Sequence, residues 1–362
     1  MLAVRRPRYL PDDDVPGGMR SDVHDVIPLM TGSIAELYIR PMLPCFGDID
    51  VMHHQNYLLA IPEACPPPTE LPSEFHNLVA VCEIIDREEY PGYVYLMLSY
   101  MLTEDRNTGT YNAVGLRCDK RWYAQFHLIT TDYSERRGPA STFGTGSISI
   151  DAVKCMRCLL WPTQATDWPT RHRKYNWPDS TTVDRVVNNG CDVVGAVHHQ
   201  CRQNEWMNKY QWRLSFSRAE IVLLNSWMPV QQIVYHMLRF FTKTLHLIDI
   251  RDSSGRTVLH NYHLKTLILW ASEIKPQSWW TNNINVVRIC VELLDIFSDW
   301  QKNKICPHYF VSSCNLFYNS EQLEIIVSRL VSVTELWLSK WFVNNYLRKL
   351  SLIHISEPTR PY

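Results

Sequence analysis

The sequence predicts a two-lobed α/β protein, in which a lobe built on a mixed β-sheet is followed by an all-helical lobe. Between Val79 and Ile150, short β-rich runs alternate with turn residues, which is the pattern of a sheet. After Trp206 the segments become long, with apolar residues at helical spacing. The chain has 362 residues, of which 46% are hydrophobic, so it is long enough to bury two cores or one large bilobed core.

The strand predictions come first along the chain. The run Tyr93 to Leu98 and the segment Trp122 to Ile129 are each predicted to form a strand. The proline-rich stretch Pro62 to Pro72 is predicted to be an extended surface connection between two strand-like regions, because consecutive prolines donate no backbone hydrogen bonds.

The helix predictions follow from apolar periodicity. Within Val230 to Lys243, for example, Ile233, Met237 and Phe241 recur at helical spacing, which predicts one buried face. The predicted helical segments are Ser217 to Trp227, Val230 to Lys243, Asn261 to Lys275, Asn285 to Asn303 and Ser320 to Tyr346.

Composition divides the chain into four predicted segments. Residues 1–21 form a loose leader, 22–218 the α/β lobe and 219–349 the helical lobe. Leu350 to Arg360 resemble the in-frame translation of a common sequencing adapter, so we expect 350–362 to be a non-native tail and exclude it from the fold.

Charge and hydropathy bear on the partners of the protein. Lys and Arg number 36 against 37 acidic residues, so the net charge of −1 creates no global field toward nucleic acid or anionic membranes. No signal-peptide core and no run of about 20 apolar residues is present in the sequence. We expect a cytoplasmic protein, with the nucleus as the alternative, and no membrane partner. The sequence makes no prediction of the oligomeric state.

The eleven cysteines are an odd number without secretory context, which favours reduced thiols over a disulfide framework. Cys155 with Cys158, and the His and Cys residues from Cys191 to Cys201, have spacings that metal or redox sites use. Neither group completes the four paired ligands of a structural zinc site, so we expect mostly buried thiols.

Three carboxylates suggest a metal site. Asp48 and Asp50 are two apart in a predicted strand and would share one face, where they repel each other unless a cation lies between them. Asp151 lies in an alternating apolar strand, where a carboxylate needs a partner. Beside a Gly32-Ser33 turn that can present N–H groups to phosphate, these residues could hold Mg²⁺ or Mn²⁺ against a triphosphate. The alternatives are an exposed strand face or a turn for the pair, and an edge or cap carboxylate for Asp151.

Taken in order, five short motifs resemble the male-abnormal-21-like family, which includes cyclic GMP-AMP synthase and the cyclic GMP-AMP synthase-like receptors of animals. The resemblance runs from about residue 22 to residue 349 and implies a nucleotidyltransferase core with a mixed sheet, a helical second lobe and a ligand cleft between them. The motifs are Gly32-Ser33 with Glu36, Asp48-Ile49-Asp50-Val51-Met52, Ile148-Ser149-Ile150-Asp151, Trp212-Arg213-Leu214-Ser215-Phe216-Ser217 and Asn261-Tyr262-His263-Leu264-Lys265-Thr266.

The resemblance also implies roles for individual residues. Arg213 is expected to face the nucleotides, with a salt bridge between the lobes as the alternative. Tyr262 is expected to stack on a base, with a core aromatic as the alternative. The other implied roles are metal binding and catalysis for Asp48, Asp50 and Asp151, phosphate binding for Gly32 and Ser33, and nucleotide contacts for Glu36, Ser215 and Asn261.

The function that the resemblance implies is Mg²⁺- or Mn²⁺-dependent synthesis of a cyclic or short linear dinucleotide from ATP and GTP. It also implies an innate immune-type receptor that a ligand such as double-stranded RNA activates. The basic stretch with Arg171, Arg173 and Lys174 is the candidate patch for such a ligand, and a solvated loop is the alternative.

Departures from the family pattern bear on this function. Where the family enzyme has a phosphate-binding lysine, this chain has Tyr235 or His236, and Arg239 or Lys243 could substitute for the lysine only if the helix register allows. These altered phosphate contacts favour the alternative of a catalytically inactive fold that serves as a binding or developmental interaction module. The zinc-binding insertion that the vertebrate enzyme uses for DNA is missing between Ser226 and Gln231, which argues against DNA sensing of that type.

Overall fold

We describe the fold from a computed structural model of the chain. The structure describes residues 26–32, 48–115, 122–125, 135–137, 140–145, 148–201, 204–253, 255–281, 286–317 and 322–347. The predicted leader and the predicted non-native tail therefore lie outside the described residues, as do Ser33 and Glu36.

The described strands form one mixed sheet, which confirms the predicted α/β class of the first lobe. Their bounds are β1 (Val26–Thr31), β2 (Asp48–Pro62), β3 (Leu78–Asp86), β4 (Tyr93–Glu104), β5 (Tyr111–Gly115), β6 (Trp122–Tyr123), β7 (Glu135–Arg137), β8 (Ala140–Thr145), β9 (Ile148–Cys158), β10 (Cys191–Gly195) and β11 (Gln211–Ser215).

Strand β2 is the centre of this sheet. It pairs antiparallel with β1 and parallel with both β3 and β9. The register with β9 shifts between His54 and Leu59, and β3 pairs with the last part of β2, from Leu58 to Pro62. The remaining order along the sheet is β3, β4, β11, β10, β9, β8 and β7, with β5 and β6 on β4. One long strand thus brings β9 beside β2 at the end where Asp50 lies.

Apolar packing fixes the other end of β2. Leu59, Ile61, Val79, Val81 and Leu102 form a buried cluster in which each side chain is essentially inaccessible. The proline-rich connection follows Pro62 with mostly exposed residues and no regular structure until β3, as the sequence predicts.

Four of the five predicted helical segments each form one described helix, and four other described helices were not predicted. Their bounds are α1 (Asp167–Thr170), α2 (Ser180–Asn189), α3 (Glu205–Tyr210), α4 (Ser217–Asn225), α5 (Pro229–Thr244), α6 (Asn261–Ile274), α7 (Gln277–Thr281), α8 (Val286–Lys302), α9 (Leu323–Leu330) and α10 (Glu335–Phe342). Helices α5, α6, α9 and α10 all pack against α8, whose apolar face includes Leu293, Leu294 and Phe297. Among the described residues, no helix is both long and apolar enough to cross a bilayer.

The single helix predicted from Ser320 to Tyr346 is wrong. Helix α9 ends at Leu330 and α10 begins at Glu335. The break has a local cause, because the Thr334 hydroxyl accepts a hydrogen bond from the backbone N–H of Trp337 at 3.3 Å and so caps a new helix. A segment of β character was also predicted from Trp122 to Ile129, but the described strand covers Trp122–Tyr123 alone and 126–130 lie outside the described residues.

The described residues divide into two compact units. The sheet unit holds those up to Thr166 together with Val186–Ile221, and the helical unit holds Asp167–Arg185 and those from Val222 onward. The expected division lay between residues 218 and 219, with the segment from Asp167 in the first lobe. That segment belongs with the helices because the Trp168 ring is buried against Phe310, with ring centroids 5.3 Å apart.

Candidate functional site

The sheet brings two of the predicted metal ligands side by side. Asp50 on β2 and Asp151 on β9 are register partners in a parallel pair. Thr142 on β8 is opposite Asp151, and Thr31 on β1 is opposite Asp50. The four residues therefore form one row across adjacent strands, which lie about 4.8 Å apart, on the same face of the sheet.

Gly32 lies directly against one of these carboxylates. Its φ is +64°, and a Cβ atom built on it would overlap Asp50 Oδ2. The buried Thr31 hydroxyl also lies 3.4 Å from the carbonyl oxygen of Asp50 and donates to it. A residue other than glycine would both strain the backbone and displace the carboxylate, so the identity of residue 32 and the position of the Asp50 carboxylate depend on each other.

The other carboxylate has a hydroxyl partner. Thr142 Oγ1 lies 2.5 Å from Asp151 Oδ1, and Thr142 is buried. Because an ionised carboxylate can only accept, the threonine is the donor.

Asp48 lies two residues before Asp50 on the same strand, and its backbone pairs with Ser149 of β9. Its side chain lies outside the described part of the structure, as do Ser33 and Glu36. The expected third metal ligand is thus placed by its backbone alone.

The chemistry of the two described carboxylates fits a hard divalent cation. Magnesium and manganese prefer oxygen ligands, and Asp50 and Asp151 supply carboxylate oxygens from neighbouring strands. Within the described side chains there is no group of three or more His, Cys, Asp or Glu that could hold a metal ion. The same finding applies to the described cysteines and histidines whose spacing suggested a metal or redox site. Burial raises the pKa of the Cys155 thiol, and a hydrogen bond with Cys158, followed by burial, raises the pKa of the Cys191 thiol.

A buried charged network lies on the face of the sheet that carries Asp50 and Asp151, and it was not predicted from the sequence. His54 Nε2 lies 2.9 Å from Asp192 Oδ1, and Arg218 Nε lies 3.1 Å from Asp192 Oδ2. Arg157 Nη1 is 3.9 Å from the same carboxylate, which is 0% exposed. We call these four residues the Asp192 network.

The network links β2 to the elements beside it. Burial opposes ionisation of Asp192, but the hydrogen bond from His54 and the charges of His54, Arg218 and Arg157 outweigh burial and lower its pKa. His54 lies four residues beyond Asp50 on β2, and the apolar Met52 lies between them in a buried cluster with Cys155 and Val194. The network therefore anchors the strand that carries Asp50. One signal in the sequence was an aspartate within the apolar run of β10.

Two predicted nucleotide-binding residues lie on β11. Arg213 is exposed and is the register partner of Val194, while Ser215 is the partner of Asp192. Register partners share a face, so Arg213 and Ser215 lie on the same face as the Asp192 network. The Ser215 hydroxyl is 3.2 Å from that of Ser217.

The helical unit carries two further predicted nucleotide-binding residues, Asn261 and Tyr262. Asn261 is exposed at the start of α6, and the half-buried Tyr262 has its hydroxyl 3.0 Å from His308 Nε2. His308 Nδ1 accepts from the backbone N–H groups of Phe310 and Val311 at 3.1 and 3.0 Å. A ring nitrogen that accepts carries no hydrogen, so Nε2 carries it and donates to the Tyr262 oxygen when the imidazole is neutral.

The expected ligand patch is mostly built into the helical unit. Arg171 Nη2 lies 2.8 Å from Glu273 Oε2, and the Arg171 guanidinium lies 4.4 Å from the centre of the Trp270 ring. Arg173 donates to the carbonyl oxygen of Trp168 at 2.7 Å, and its side chain is 8% exposed. Lys174 is exposed. Arg171 and Arg173 thus stabilise the packing of their own unit. Neither the predicted ligand patch nor the alternative of a solvated loop included these contacts.

Comparison with known proteins gives a consistent family. Residues 116–226 match the Mab-21 protein nucleotidyltransferase domain, and residues 234–331 match the Mab-21 protein HhH/H2TH-like domain. The chain is similar to "Protein mab-21-like" of Drosophila melanogaster, with 27% identity over 274 residues, 68% of this chain and 71% of the relative. It is also similar to "Protein mab-21-like" of Aedes aegypti, with 32% identity over 171 residues, 46% of this chain and 42% of the relative.

Proposed function

This chain belongs to the Mab-21 protein family, and we propose that it is a metal-dependent nucleotidyltransferase that joins ATP and GTP into a cyclic or short linear dinucleotide. The proposal includes activation by a ligand such as double-stranded RNA in an innate immune-type role. The observation that carries it is the row of Thr142, Asp151, Asp50 and Thr31 across four adjacent strands.

In this function Asp50 and Asp151, together with Asp48, would hold Mg²⁺ or Mn²⁺, which would supply positive charge against the triphosphate and favour loss of the proton from the attacking hydroxyl. Gly32 keeps its backbone against the Asp50 carboxylate, and its role in this function is to contact phosphate oxygens. Arg213, on the same face, supplies positive charge, and Ser215 supplies a hydroxyl for the nucleotides.

One observation favours the alternative of an inactive binding module. Tyr235 and His236 stand where the family enzyme has its phosphate-binding lysine, and both are buried in α5, with exposures of 1% and 3%. Neither can replace that lysine at a phosphate. The inactive fold is therefore the second candidate.

The decisive experiment incubates the purified chain with labelled ATP and GTP and either Mg²⁺ or Mn²⁺, with and without double-stranded RNA. We expect a phosphatase-resistant product from the wild type and none from Asp50→Asn or Asp151→Asn, because loss of a metal ligand costs orders of magnitude in rate. Asp184→Asn is the matched control, since Asp184 is exposed on α2. It should retain the wild-type rate.

A binding measurement accompanies the assay. The melting temperature of the wild type and of Asp184→Asn should rise with Mg²⁺ plus ATP, whereas that of the two site variants should not. If the wild type shows neither this shift nor any product with any activator, the interaction module takes the place of the enzyme. The arm with RNA tests activation separately, and of the three predicted patch residues only Lys174 is exposed for such a contact.

A further inference from the structure

The hydrogen bond between the Thr142 and Asp151 side chains is short, and its donor is buried. The distance of 2.5 Å between Thr142 Oγ1 and Asp151 Oδ1 lies at the short end for a hydroxyl that donates to a charged carboxylate. Thr142 is 9% exposed, so water competes little for its hydroxyl. The Thr142 end of the contact is therefore shielded from solvent.

The backbone holds both partners in place. Thr142 and Asp151 are register partners in an antiparallel pair that continues on both sides, from Ser141 with Ala152 to Thr145 with Ile148. Threonine is branched at Cβ and has restricted χ1 rotamers in a strand. The donor is thus aimed at Oδ1 before any ligand arrives.

A fixed donor limits how the carboxylate can turn. With Oδ1 held by Thr142, the carboxylate cannot rotate freely about its last bond, and Oδ2 would be left for a cation. Carboxylates that bind metals are commonly oriented by such outer hydrogen bonds, and loss of one typically weakens metal binding about 10- to 100-fold.

We propose that Thr142 is a positioning residue for the metal-binding carboxylate of Asp151, an inference that rests on the proposed function. Thr142 itself touches neither metal nor nucleotide in this role. Its contribution is to hold the Asp151 carboxylate in the orientation that metal binding requires.

The test compares two substitutions in the full chain. Thr142→Val keeps the shape and removes the hydroxyl, whereas Thr142→Ser keeps the hydroxyl and removes a methyl group. Thr103→Val is the matched control, because Thr103 lies on β4 of the same sheet and is exposed. Mn²⁺ affinity is measured by calorimetry, and the melting temperature is measured without metal.

We expect Thr142→Val to bind Mn²⁺ about 10- to 100-fold more weakly, with Thr142→Ser and Thr103→Val close to the wild type. Product formation by Thr142→Val should recover as Mn²⁺ is raised. A purely structural role would lower the melting temperature of Thr142→Val without changing the Mn²⁺ affinity. If the valine variant does not fold, Thr142→Ala takes its place with the same expectation.

Three results overturn the inference. Wild-type Mn²⁺ affinity in the folded valine or alanine variant removes Thr142 from metal binding while the proposed function stands. An equal loss in Thr142→Ser shows that shape, and not the hydroxyl, is what matters. A wild-type protein that binds no Mn²⁺ overturns both the inference and the proposed function.

Discussion

At the scale of single residues, position 32 combines two separate constraints. Its φ of +64° disfavours any residue with a Cβ atom, and the Asp50 carboxylate occupies the space where that atom would lie. Gly109 offers a control because its φ is +70° and nothing lies within 4 Å of an added Cβ. The two glycines therefore separate backbone strain from contact with the carboxylate.

We predict that the left-handed backbone by itself costs Gly32→Ala and Gly109→Ala about 1–2 kcal/mol of unfolding free energy each. Gly32→Ala should lose more than this, and its Mn²⁺ affinity should fall at least tenfold, because Asp50 must move. Denaturant unfolding and Mn²⁺ calorimetry check the two effects. Equal behaviour of the two variants in both measurements would show that Gly32 has no special relation to Asp50.

At the scale of elements, β2 connects the candidate site to the rest of its unit. Asp50 near the start of this strand pairs with β9, and His54 farther along bonds to Asp192 on β10. Arg218 from α4 binds the same carboxylate. Two strands and a helix are thus joined at one buried charge.

We predict that Asp192→Asn destabilises the sheet unit by about 3–5 kcal/mol, because it leaves the charge of Arg218 without its buried counter-ion. Hydrogen exchange of the β2 and β10 amides in the full chain measures this loss. The surface variant Asp184→Asn should change exchange little. A loss below about 1 kcal/mol in Asp192→Asn would show that the network does not hold β2.

The elements differ in how far the sequence predicts them. Helix α5 could be predicted because its apolar residues recur every three or four positions, and the alternation around Asp50 and Asp151 indicated strands. The α9–α10 break was missed although Thr334 is a typical N-cap residue. The periodic apolar pattern outweighed this local signal.

The long-range contacts of the site could not be predicted in the same way. His54 and Asp192 are 138 positions apart, and no local pattern specifies which distant strand will pair with which. Thr142 lies opposite Asp151 only in the observed register of β8 against β9. A shift of one residue would turn the Thr142 side chain to the other face of the sheet. Likewise Arg171 and Arg173 look like a surface patch in sequence, since their partner Glu273 lies about a hundred residues away.

At the scale of the whole molecule, the two units should respond differently to acid. In the helical unit, burial and the neighbouring His260 lower the pKa of His263 to about 3, although a hydrogen bond to the Leu316 carbonyl opposes this. Burial and Arg239 lower the pKa of His236 to about 4. In the sheet unit, the lowered pKa of Asp192 belongs to a carboxylate.

The signs follow from proton uptake. An unfolded histidine binds a proton below about pH 6.5, whereas folded His263 and His236 remain neutral, so the stability of the helical unit falls as the pH drops from about 6.5 toward 3–4. Asp192 stabilises its unit above its unfolded pKa near 3.8, and that contribution is lost only as the pH falls through its still lower folded pKa. The helical unit should therefore weaken first.

His263→Gln tests this order of events. His263 Nδ1 accepts from the backbone N–H of His260 at 3.0 Å at the start of α6, and glutamine at the same position can also accept that hydrogen bond without titrating. Between pH 7 and pH 5 each buried histidine should cost the wild type about 2 kcal/mol. We predict that His263→Gln removes about half of the acid-induced loss of stability, as measured by hydrogen exchange of the α5 and α6 amides at both pH values.

His172→Gln is the control, because His172 is exposed in the same unit, and this variant should lose as much stability as the wild type. If His263→Gln weakens with acid as much as the wild type does, burial of neutral His263 is not what makes the helical unit sensitive to acid.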